Sequence, residues 1–432
     1  MTNEKKSVSV ESLESILSAF ESKLNDNSVK NNIEPMYDDI PKIYISGDVP
    51  TKKENVKGHI KYVSKTHSFE AYLKYKLQGS YSLRFPKKNF TVQMFTDENR
   101  LNPYYENFKG WGYSNRFVFK ADYFDITHSR NIVGARLWSK VVQSRPDYDS
   151  LPEELKNSPN HGATDGFPVF IYLNDELQGL YTVTIPKSAW MFGMDKSNRN
   201  HVVLNAETND NGNSLLAANP CNFNPNSPWS GEDGHHWSYE VGSDAADSWN
   251  HMLHFFAFDT LDGSGIEDYL DITSAIDYVI FQIVIFGLDG LAKNMIMMTY
   301  DKTKWYLSAY DMDSTFGLLS EQNMSDYYDA APGQYPYTNQ YSLLVGVLCS
   351  SFIDRYIERY RELRKGPLSF KSIMAEFENF IGIFGDDVYI KDTIPYPDIP
   401  NVAWNNINNI RDFVRTRLEV ADFNTLGGAI DE

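Results

Sequence analysis

Cysteine is scarce in this sequence, which contains only Cys221 and Cys349 in 432 residues. The two do not form a C-x-x-C pair, so the thiolate zinc sites built from such pairs are not expected. Two cysteines are also too few for the framework of several disulfides that holds many small secreted proteins together. The sequence therefore predicts neither a thiolate zinc site nor a disulfide-based fold.

Long apolar runs are missing as well. The longest, residues 279–288, contains Gln282 and is far shorter than the about 20 residues that a bilayer-spanning helix needs. Lys5 and Lys6 are not followed by an apolar segment, so the pattern of a secretory signal is absent. We therefore expect no membrane partner and a protein that is cytoplasmic when it is synthesised.

Positive charge is in short supply, because 40 Lys and Arg stand against 58 Asp and Glu, for a formal net charge of −18. Such a protein would repel phosphate backbones, so we expect no nucleic-acid partner. An anionic ligand would have to be brought in by a metal ion. Aromatic residues are abundant, with 28 Tyr, 26 Phe and 8 Trp, and the chain can bury a large core in two or more lobes.

The N-terminal segment has apolar residues at heptad spacing within residues 9–24, namely Val10, Leu13, Leu17, Phe20 and Leu24. This spacing predicts an apolar stripe on one helix. Two heptads are too few for a coiled coil that is stable alone. Two interpretations stay open: a helix packed on its own domain or a symmetric partner, and a short arm for homo-oligomerisation or assembly. With the polar residues that follow, we assign residues 1–35 to a helical arm and linker.

The rest of the chain changes from strand-like to helical patterns. Residues 40–185 contain short aromatic and β-branched runs separated by turn residues, with one helix predicted at 129–143. Residues 197–248 are rich in Asn, Gly, Pro and Asp, as in a functional loop or lid. Helical periodicity follows at residues 249–260, 273–286, 351–365, 370–384 and 405–420. We predict a β-rich lobe at 36–190 and a mainly helical lobe at 191–432.

A hairpin is predicted over residues 295–310, where two strand-like runs surround a polar turn. Because paired strand ends lie side by side, Asn294 and Asp311 should meet, with Asp289 on the same edge. Such oxygen donors suit Mg²⁺ or Mn²⁺ bound together with substrate phosphates. Asp289 and Asn294 also have the D-x-x-x-x-N spacing of a protein kinase's catalytic loop. The alternative is an ordinary turn at Asp289, with Asp311 and Asp313 capping the residues that follow.

A second candidate segment is QGSYSLRFPKKNF, residues 78–90. Gly79, Ser80 and Ser82 can approach a phosphate, and Lys87 or Lys88 can supply the positive charge that a phosphoryl-transfer site needs. The run that starts at Ser82 also reads as a short strand. The alternative for the proline and the two lysines is a solvated turn.

A third candidate segment, residues 120–131, joins a predicted strand to a predicted helix. Asp125, Thr127 or Ser129 can serve as the helix N-cap. Arg130 lies in the first helical turn, where the helix dipole disfavours a positive charge. We therefore expect Arg130 to bind a buried carboxylate or an anionic ligand.

Together, five segments of the sequence resemble the spore coat protein H (CotH)-type kinases: GSYSLRFPKKNF, ADYFDITHSRN, VFIYLNDELQGLY, DITSAIDYVIFQIVIFGLDGLAKN and WYLSAYDMDSTFG. The resemblance implies an α+β, atypical protein-kinase-like fold of two lobes, a β-rich N-lobe and a mainly helical C-lobe. It implies ATP and a divalent metal as cofactors and a protein serine as acceptor, typically in a spore coat. Asp289 then matches the catalytic Asp, Asn294 and Asp311 match metal ligands, and Asp313 supports them.

The resemblance also places Lys87 or Lys88 and Arg130 in phosphate-side motifs, but the sequence departs from the family at two positions. Gln78 stands where members usually have Arg, and Thr184 lies where they commonly carry a Glu. The G-x-G-x-x-G, H-R-D and D-F-G motifs of ordinary kinases are absent. Beside a protein kinase, two other functions therefore stay open: a structural or adaptor protein of a spore coat or phage virion, and a metal-dependent phosphohydrolase.

Overall fold

The structure, a computed structural model, describes residues 40–206, 237–254, 265–287, 290, 293–319, 322–323, 343–382, 386–400 and 406–430. The predicted N-terminal arm and linker at 1–35 lies outside these ranges, and so does Asp289.

Seven strands close into a barrel in the order β1-β2-β3-β4-β5-β7-β6. They are β1 (Lys42–Gly47), β2 (Val56–Val63), β3 (Ser68–Gln78), β4 (Asn89–Phe95), β5 (Arg116–Lys120), β6 (Gly166–Leu173) and β7 (Glu176–Thr184). Neighbours are antiparallel except at the closure, where β1 runs parallel to β6 with Lys42 opposite Phe170. In β3 every second side chain from Phe69 to Leu77 is buried. This alternation places one face of the strand inside the barrel.

The expectation of an atypical kinase-like, two-lobed fold is wrong. The N-terminal strands form a closed barrel, and one cluster of buried apolar side chains continues from Ile43 in the barrel to Val414 in the last helix. Periodicity identifies strands but not their distant partners, so the closure between β1 and β6 could not be predicted. The run from Ser82, predicted as a strand, belongs instead to a 3₁₀ helix at Tyr81–Arg84.

The rest of the described chain contains helices, a second sheet and a short strand pair. The helices are α1 (Arg130–Gln143), α2 (Glu153–Lys156), α3 (Ala246–His254), α4 (Ile272–Ile285), α5 (Leu343–Ser351), α6 (Ile353–Lys365), α7 (Phe370–Ile381), α8 (Asp386–Thr393) and α9 (Ile407–Leu426). The strands of the sheet are β8 (Val202–Ala206), β9 (Trp237–Val241), β10 (Met295–Thr299) and β11 (Trp305–Ala309). Their order in the sheet is β11-β10-β8-β9. A short pair of strands follows, β12 (Leu318–Leu319) and β13 (Gln322–Asn323). Strands β8 and β9 thus occupy part of the predicted polar loop.

The predicted hairpin is confirmed, because β10 and β11 pair with Met295 opposite Ala309. Beside it lies α4, in which every residue except Thr273 is buried. Asp271 caps the start of α4 by accepting the Ser274 N–H at 2.7 Å. None of the helices within the described ranges has the length and apolarity needed to cross a membrane.

Candidate functional site

An ion pair joins the barrel to the β10–β11 hairpin. Lys120 is the last residue of β5, and Asp311 follows the end of β11. Lys120 Nζ lies 2.9 Å from Asp311 Oδ1; the lysine side chain is 12% exposed and the aspartate side chain 31%. The lysine is thus largely buried, and the carboxylate is partly exposed.

Both groups of this pair stay charged. Burial is the largest influence on Asp311 and favours its neutral form, but Lys120, Lys187 and Lys293 outweigh it and lower the pKa of Asp311. Burial also opposes the charge on Lys120, yet Asp311 and other neighbours raise the pKa of Lys120 above its ordinary value. Asp311 is therefore ionised at neutral pH, as a metal-binding carboxylate must be.

Asn294 and Asp311 both adopt the left-handed backbone conformation, with φ values of 61° and 55°. Asn and Asp tolerate this region better than most other residues. The Asn294 N–H donates to the Ala206 carbonyl at 3.0 Å, which holds the residue at the start of β10. The pairing of β10 with β11 places Asn294 and Asp311 at the same end of the hairpin, as the sequence predicted. Unusual backbone conformations of this kind are concentrated at functional sites.

Asp313, the third predicted metal residue, is partly buried and accepts a hydrogen bond from Ser314 Oγ at 3.3 Å. In the described part of the chain, no group of three or more His, Cys, Asp and Glu is arranged to hold a metal ion. Asn294, Asp311 and Asp313 thus supply oxygen donors near one hairpin end without a complete protein cage. Their role as metal ligands stays a prediction.

Asp289, the predicted catalytic base, lies outside the described residues, but the glycines on both sides of it are tightly held. The Gly287 N–H donates to the Gln282 carbonyl at 3.0 Å, and the Tyr278 hydroxyl donates to the Gly290 carbonyl. A Cβ at either glycine would overlap Gln282 Oε1. The flanks of Asp289 are therefore anchored to α4, and the role of Asp289 itself stays a prediction.

The loop that starts at Gly79 is fastened to the end of β5. Gly79 has φ +106°, and an added Cβ would overlap Ser82 Oγ. Ser82 Oγ accepts a hydrogen bond from Asn89 Nδ2 at 3.2 Å, and Asn89 Oδ1 accepts the Ala121 N–H at 2.7 Å. Ala121 directly follows the lysine of the ion pair, so this loop is connected to that lysine, and Ser80 is exposed on it.

Lys87 and Lys88 both bind protein oxygens. Lys87 is buried, and its Nζ lies 2.8 Å from Asp392 Oδ1 and 2.5 Å from the Leu180 carbonyl oxygen. Burial lowers the pKa of Lys87, although Asp392 acts in the opposite direction. Lys88 Nζ donates to the Leu83 carbonyl of its own loop at 2.7 Å. A contact of either lysine with phosphate stays a prediction.

Arg130 has the buried carboxylate partner that the sequence led us to expect. Its Nη1 lies 2.6 Å from Asp125 Oδ1, and its backbone N–H donates to Asp125 Oδ2 at 2.8 Å. Asp125 thus serves as the acceptor at the start of α1, whereas Ser129 makes no side-chain cap bond. The ion pair compensates the unfavourable position of Arg130 at the positive end of the helix. Its predicted contact with a nucleotide phosphate stays a prediction.

A family model described as CotH kinase protein matches residues 75–421, from β3 into α9. The chain belongs to the CotH kinase family. No curated protein matches the chain. Membership of the CotH kinase family indicates a kinase-like function and, in general terms, the use of ATP and a divalent metal ion.

In this CotH kinase family member, Lys120, which pairs with Asp311, was not among the site residues predicted from the sequence. The residue stood in a candidate segment, at the end of a strand-like run, and that position was the available signal. Its partner Asp311 is far away in the chain, so only the fold shows the pair. Asp392, which binds the predicted Lys87, had no sequence signal, because it lies between two predicted helices and in none of the candidate segments.

Proposed function

We propose that this CotH kinase family member is an ATP-dependent protein kinase that uses Mg²⁺ or Mn²⁺ to phosphorylate a serine or threonine hydroxyl. The proposal depends mainly on the Lys120–Asp311 ion pair, 2.9 Å long, at the hairpin end that also carries Asn294. Phosphoryl transfer requires little covalent chemistry from the protein, since catalysis consists mostly of positioning and charge stabilisation. A lysine, a carboxylate and an amide held by strand ends are suited to both tasks.

On the phosphate side, Lys120 is the first candidate to neutralise charge on the transferred group. Lys187 is a second candidate, because its Nζ lies 4.8 Å from the Tyr310 ring centroid and 3.5 Å from Glu240 Oε2. The contact with Glu240 is longer than a charge-assisted hydrogen bond, so a phosphate can compete for this lysine. Backbone and hydroxyl groups of the Gly79 loop would approach the phosphates from the barrel.

On the metal side, the donors fit the proposed ion. Mg²⁺ binds oxygen ligands, commonly through one or two carboxylates plus phosphates and water, so a cage of three protein carboxylates is not required. Asn294 and Asp311 would hold the metal, with Asp313 in support, and the metal would supply charge neutralisation on the phosphates. Asp289 would orient the acceptor hydroxyl and take its proton.

The acceptor that we propose is a coat or virion protein, because the kinases that the sequence resembles act on spore coats. The assembled coat or particle would then be the final location of this chain after its synthesis in the cytoplasm. The heptad spacing within residues 9–24 supports an additional contact with a second copy or an assembly partner.

The test is transfer of labelled phosphate from ATP to casein or to the protein itself. We expect Asp311→Asn and Lys120→Met to lose at least about 100-fold in rate, with far-UV circular dichroism like that of the wild type. Lys61→Met is a matched control, because it breaks an exposed pair in which Lys61 Nζ lies 3.0 Å from Glu70 Oε1. Full transfer by folded Asp311→Asn would show that the assignment is wrong.

A second candidate function, a non-catalytic adaptor, is favoured by Thr184. Where the resemblance leads one to expect a glutamate, buried Thr184 donates through Oγ1 to the Val118 carbonyl at 3.3 Å. Thermal shift with Mg-ATP separates the two functions, since a ligand that binds only the folded state raises the melting temperature. An unchanged melting temperature would favour the adaptor.

A further inference from the structure

Met312, which directly follows Asp311, is held at three points. Its N–H donates to Asn131 Oδ1 at 3.0 Å, and its carbonyl accepts a hydrogen bond from Thr315 Oγ1 at 2.7 Å. Its side chain packs against Gly134, where an added Cβ would lie 3.0 Å from Met312 Sδ. Asn131 and Gly134 both belong to α1. Helix α1 therefore fixes the backbone immediately beside the Asp311 carboxylate.

The peptide between Asp311 and Met312 controls where that carboxylate points. A peptide group is planar, so the bond from the Met312 N–H to Asn131 fixes the plane and with it the ψ angle of Asp311. The φ of Asp311 is 55°, a left-handed value that persists only where the surroundings hold it. Without the Asn131 acceptor, the peptide can rotate and the carboxylate can leave its 2.9 Å contact with Lys120.

Asn131 is itself firmly placed. It is 5% exposed and follows Arg130 in the first turn of α1, where Asp125 binds both the Arg130 N–H and its guanidinium. Its amide oxygen accepts a hydrogen bond without adding a charge beside Asp311. A buried acceptor of this kind contributes to stability anywhere in a protein, so a specific role needs a measurement that general stability does not change.

We infer that Asn131 is a positioning residue, which aims the Asp311 carboxylate through the Met312 backbone. The inference depends on the proposed function, in which Asp311 binds the metal. A loosened Asp311 backbone should then weaken the metal-dependent part of nucleotide binding and leave the metal-independent part unchanged.

The test compares the wild-type protein with Asn131→Leu, which keeps the approximate size of the side chain and removes the acceptor. Calorimetry gives the dissociation constant of ATP in the presence of Mg²⁺ and in the presence of EDTA. The factor by which Mg²⁺ lowers this dissociation constant measures the metal-dependent part of ATP binding. We expect this factor to fall about tenfold in Asn131→Leu, as for one lost buried hydrogen bond.

Two further variants complete the test. Thr315→Val removes the hydrogen bond to the Met312 carbonyl and should also lower the factor. It keeps the inference testable if Asn131→Leu fails to fold. Ser158→Ala is the control, because Ser158 Oγ is a buried acceptor of the Gly162 N–H at 2.8 Å and its loss should leave the factor unchanged.

The outcomes distinguish this inference from the proposed function. An unchanged factor in the folded variants of Asn131 and Thr315 overturns the inference alone, and so does an equal fall in Ser158→Ala. A wild-type protein that binds ATP no better with Mg²⁺ than with EDTA overturns the proposed metal site and the inference with it.

Discussion

At the scale of single residues, backbone conformation decides which side chains this site accepts. Asp311 and Asn294 occupy left-handed positions with φ values of 55° and 61°, which suit their residue types. Gly79 has φ +106°, a value that other residues rarely adopt. A substitution can thus act on the Gly79 loop in two ways, through backbone strain and through overlap with its neighbours.

Gly79→Ala tests both effects. Backbone strain alone should cost about 1–3 kcal/mol, and the overlap with Ser82 Oγ adds to it. We expect a loss of unfolding free energy in chemical denaturation and weaker binding of Mg-ATP. Gly110→Ala is the matched control, since Gly110 has φ +77° and an added Cβ there meets nothing within 4 Å. Equal losses in the two variants would contradict the role of the overlap.

The candidate-site residues that were predicted to meet are those that lie close together in the chain. Asn294 and Asp311 flank one hairpin, and a hairpin is specified by neighbouring residues and a short turn. Lys120 reaches Asp311 only because β5 is part of a closed barrel packed against that hairpin. Such an arrangement depends on long-range pairing, which periodicity does not encode.

At the scale of elements, a buried polar network fastens α8 to the barrel. Asp392 in α8 accepts hydrogen bonds from Lys87 Nζ at 2.8 Å and from the Leu180 N–H at 2.6 Å. The two ring nitrogens of His128 lie 3.0 Å from carboxylate oxygens of Asp122 and Asp392. Both nitrogens must therefore donate, so His128 is an imidazolium in this network.

The network predicts a stability that falls at alkaline pH. Burial and Lys87 oppose the charge on His128, but bonds to Asp122 and Asp392 prevail and raise the pKa of His128 above its ordinary 6.5. A group whose pKa is raised in the folded state stabilises the fold at pH values below its unfolded-state pKa. This contribution is lost as the pH rises through its folded-state pKa. We expect the melting temperature to fall as the pH is raised above about 6.5 because of this group.

The comparison uses His128→Asn, which lacks the titrating ring and tolerates the left-handed φ of 54° at this position. Lys87, whose pKa burial lowers, acts in the opposite direction, and it is present in both proteins. The difference between wild type and variant therefore measures His128 together with its charge coupling to Lys87. The same pH dependence in both proteins would show that the imidazolium does not stabilise the attachment of α8.

Secondary structure was predicted well from the sequence where the buried side chains recur at a regular spacing. In α7 the apolar residues Ile373, Met374, Phe377 and Phe380 form the buried face, and this helix was predicted at 370–384. The 3₁₀ helix at Tyr81–Arg84 was not predicted. Its residues have the composition of a strand, but Gly79 and the bond between Asn89 and Ser82 turn the chain there.

At the scale of the whole molecule, Arg359 joins three helices in the core. From α6 its Nε lies 2.7 Å from Asp277 Oδ1 in α4, and its Nη2 donates to the Val141 carbonyl of α1 at 3.2 Å. Burial raises the pKa of Asp277 to about 6, and Arg359 is the main influence that opposes this shift. The position of α1, and with it that of Asn131, thus depends partly on one buried guanidinium.

Arg359→Met should destabilise the protein by about 3–5 kcal/mol, because it leaves the buried Asp277 carboxylate without its partner. Asp277 has a raised folded-state pKa, so protonation favours the folded state, and the variant should regain stability as the pH is lowered from about 7.5 to about 5. Chemical denaturation at the two pH values measures both effects.

The double variant Arg359→Met with Asp277→Asn removes the unpaired charge and should recover part of the loss at the higher pH. Arg415→Met, which breaks an exposed pair to Asp412 at 3.4 Å, should change stability by less than about 1 kcal/mol. A loss in Arg359→Met that is no larger than in Arg415→Met would mean that α1, α4 and α6 are held by apolar packing alone.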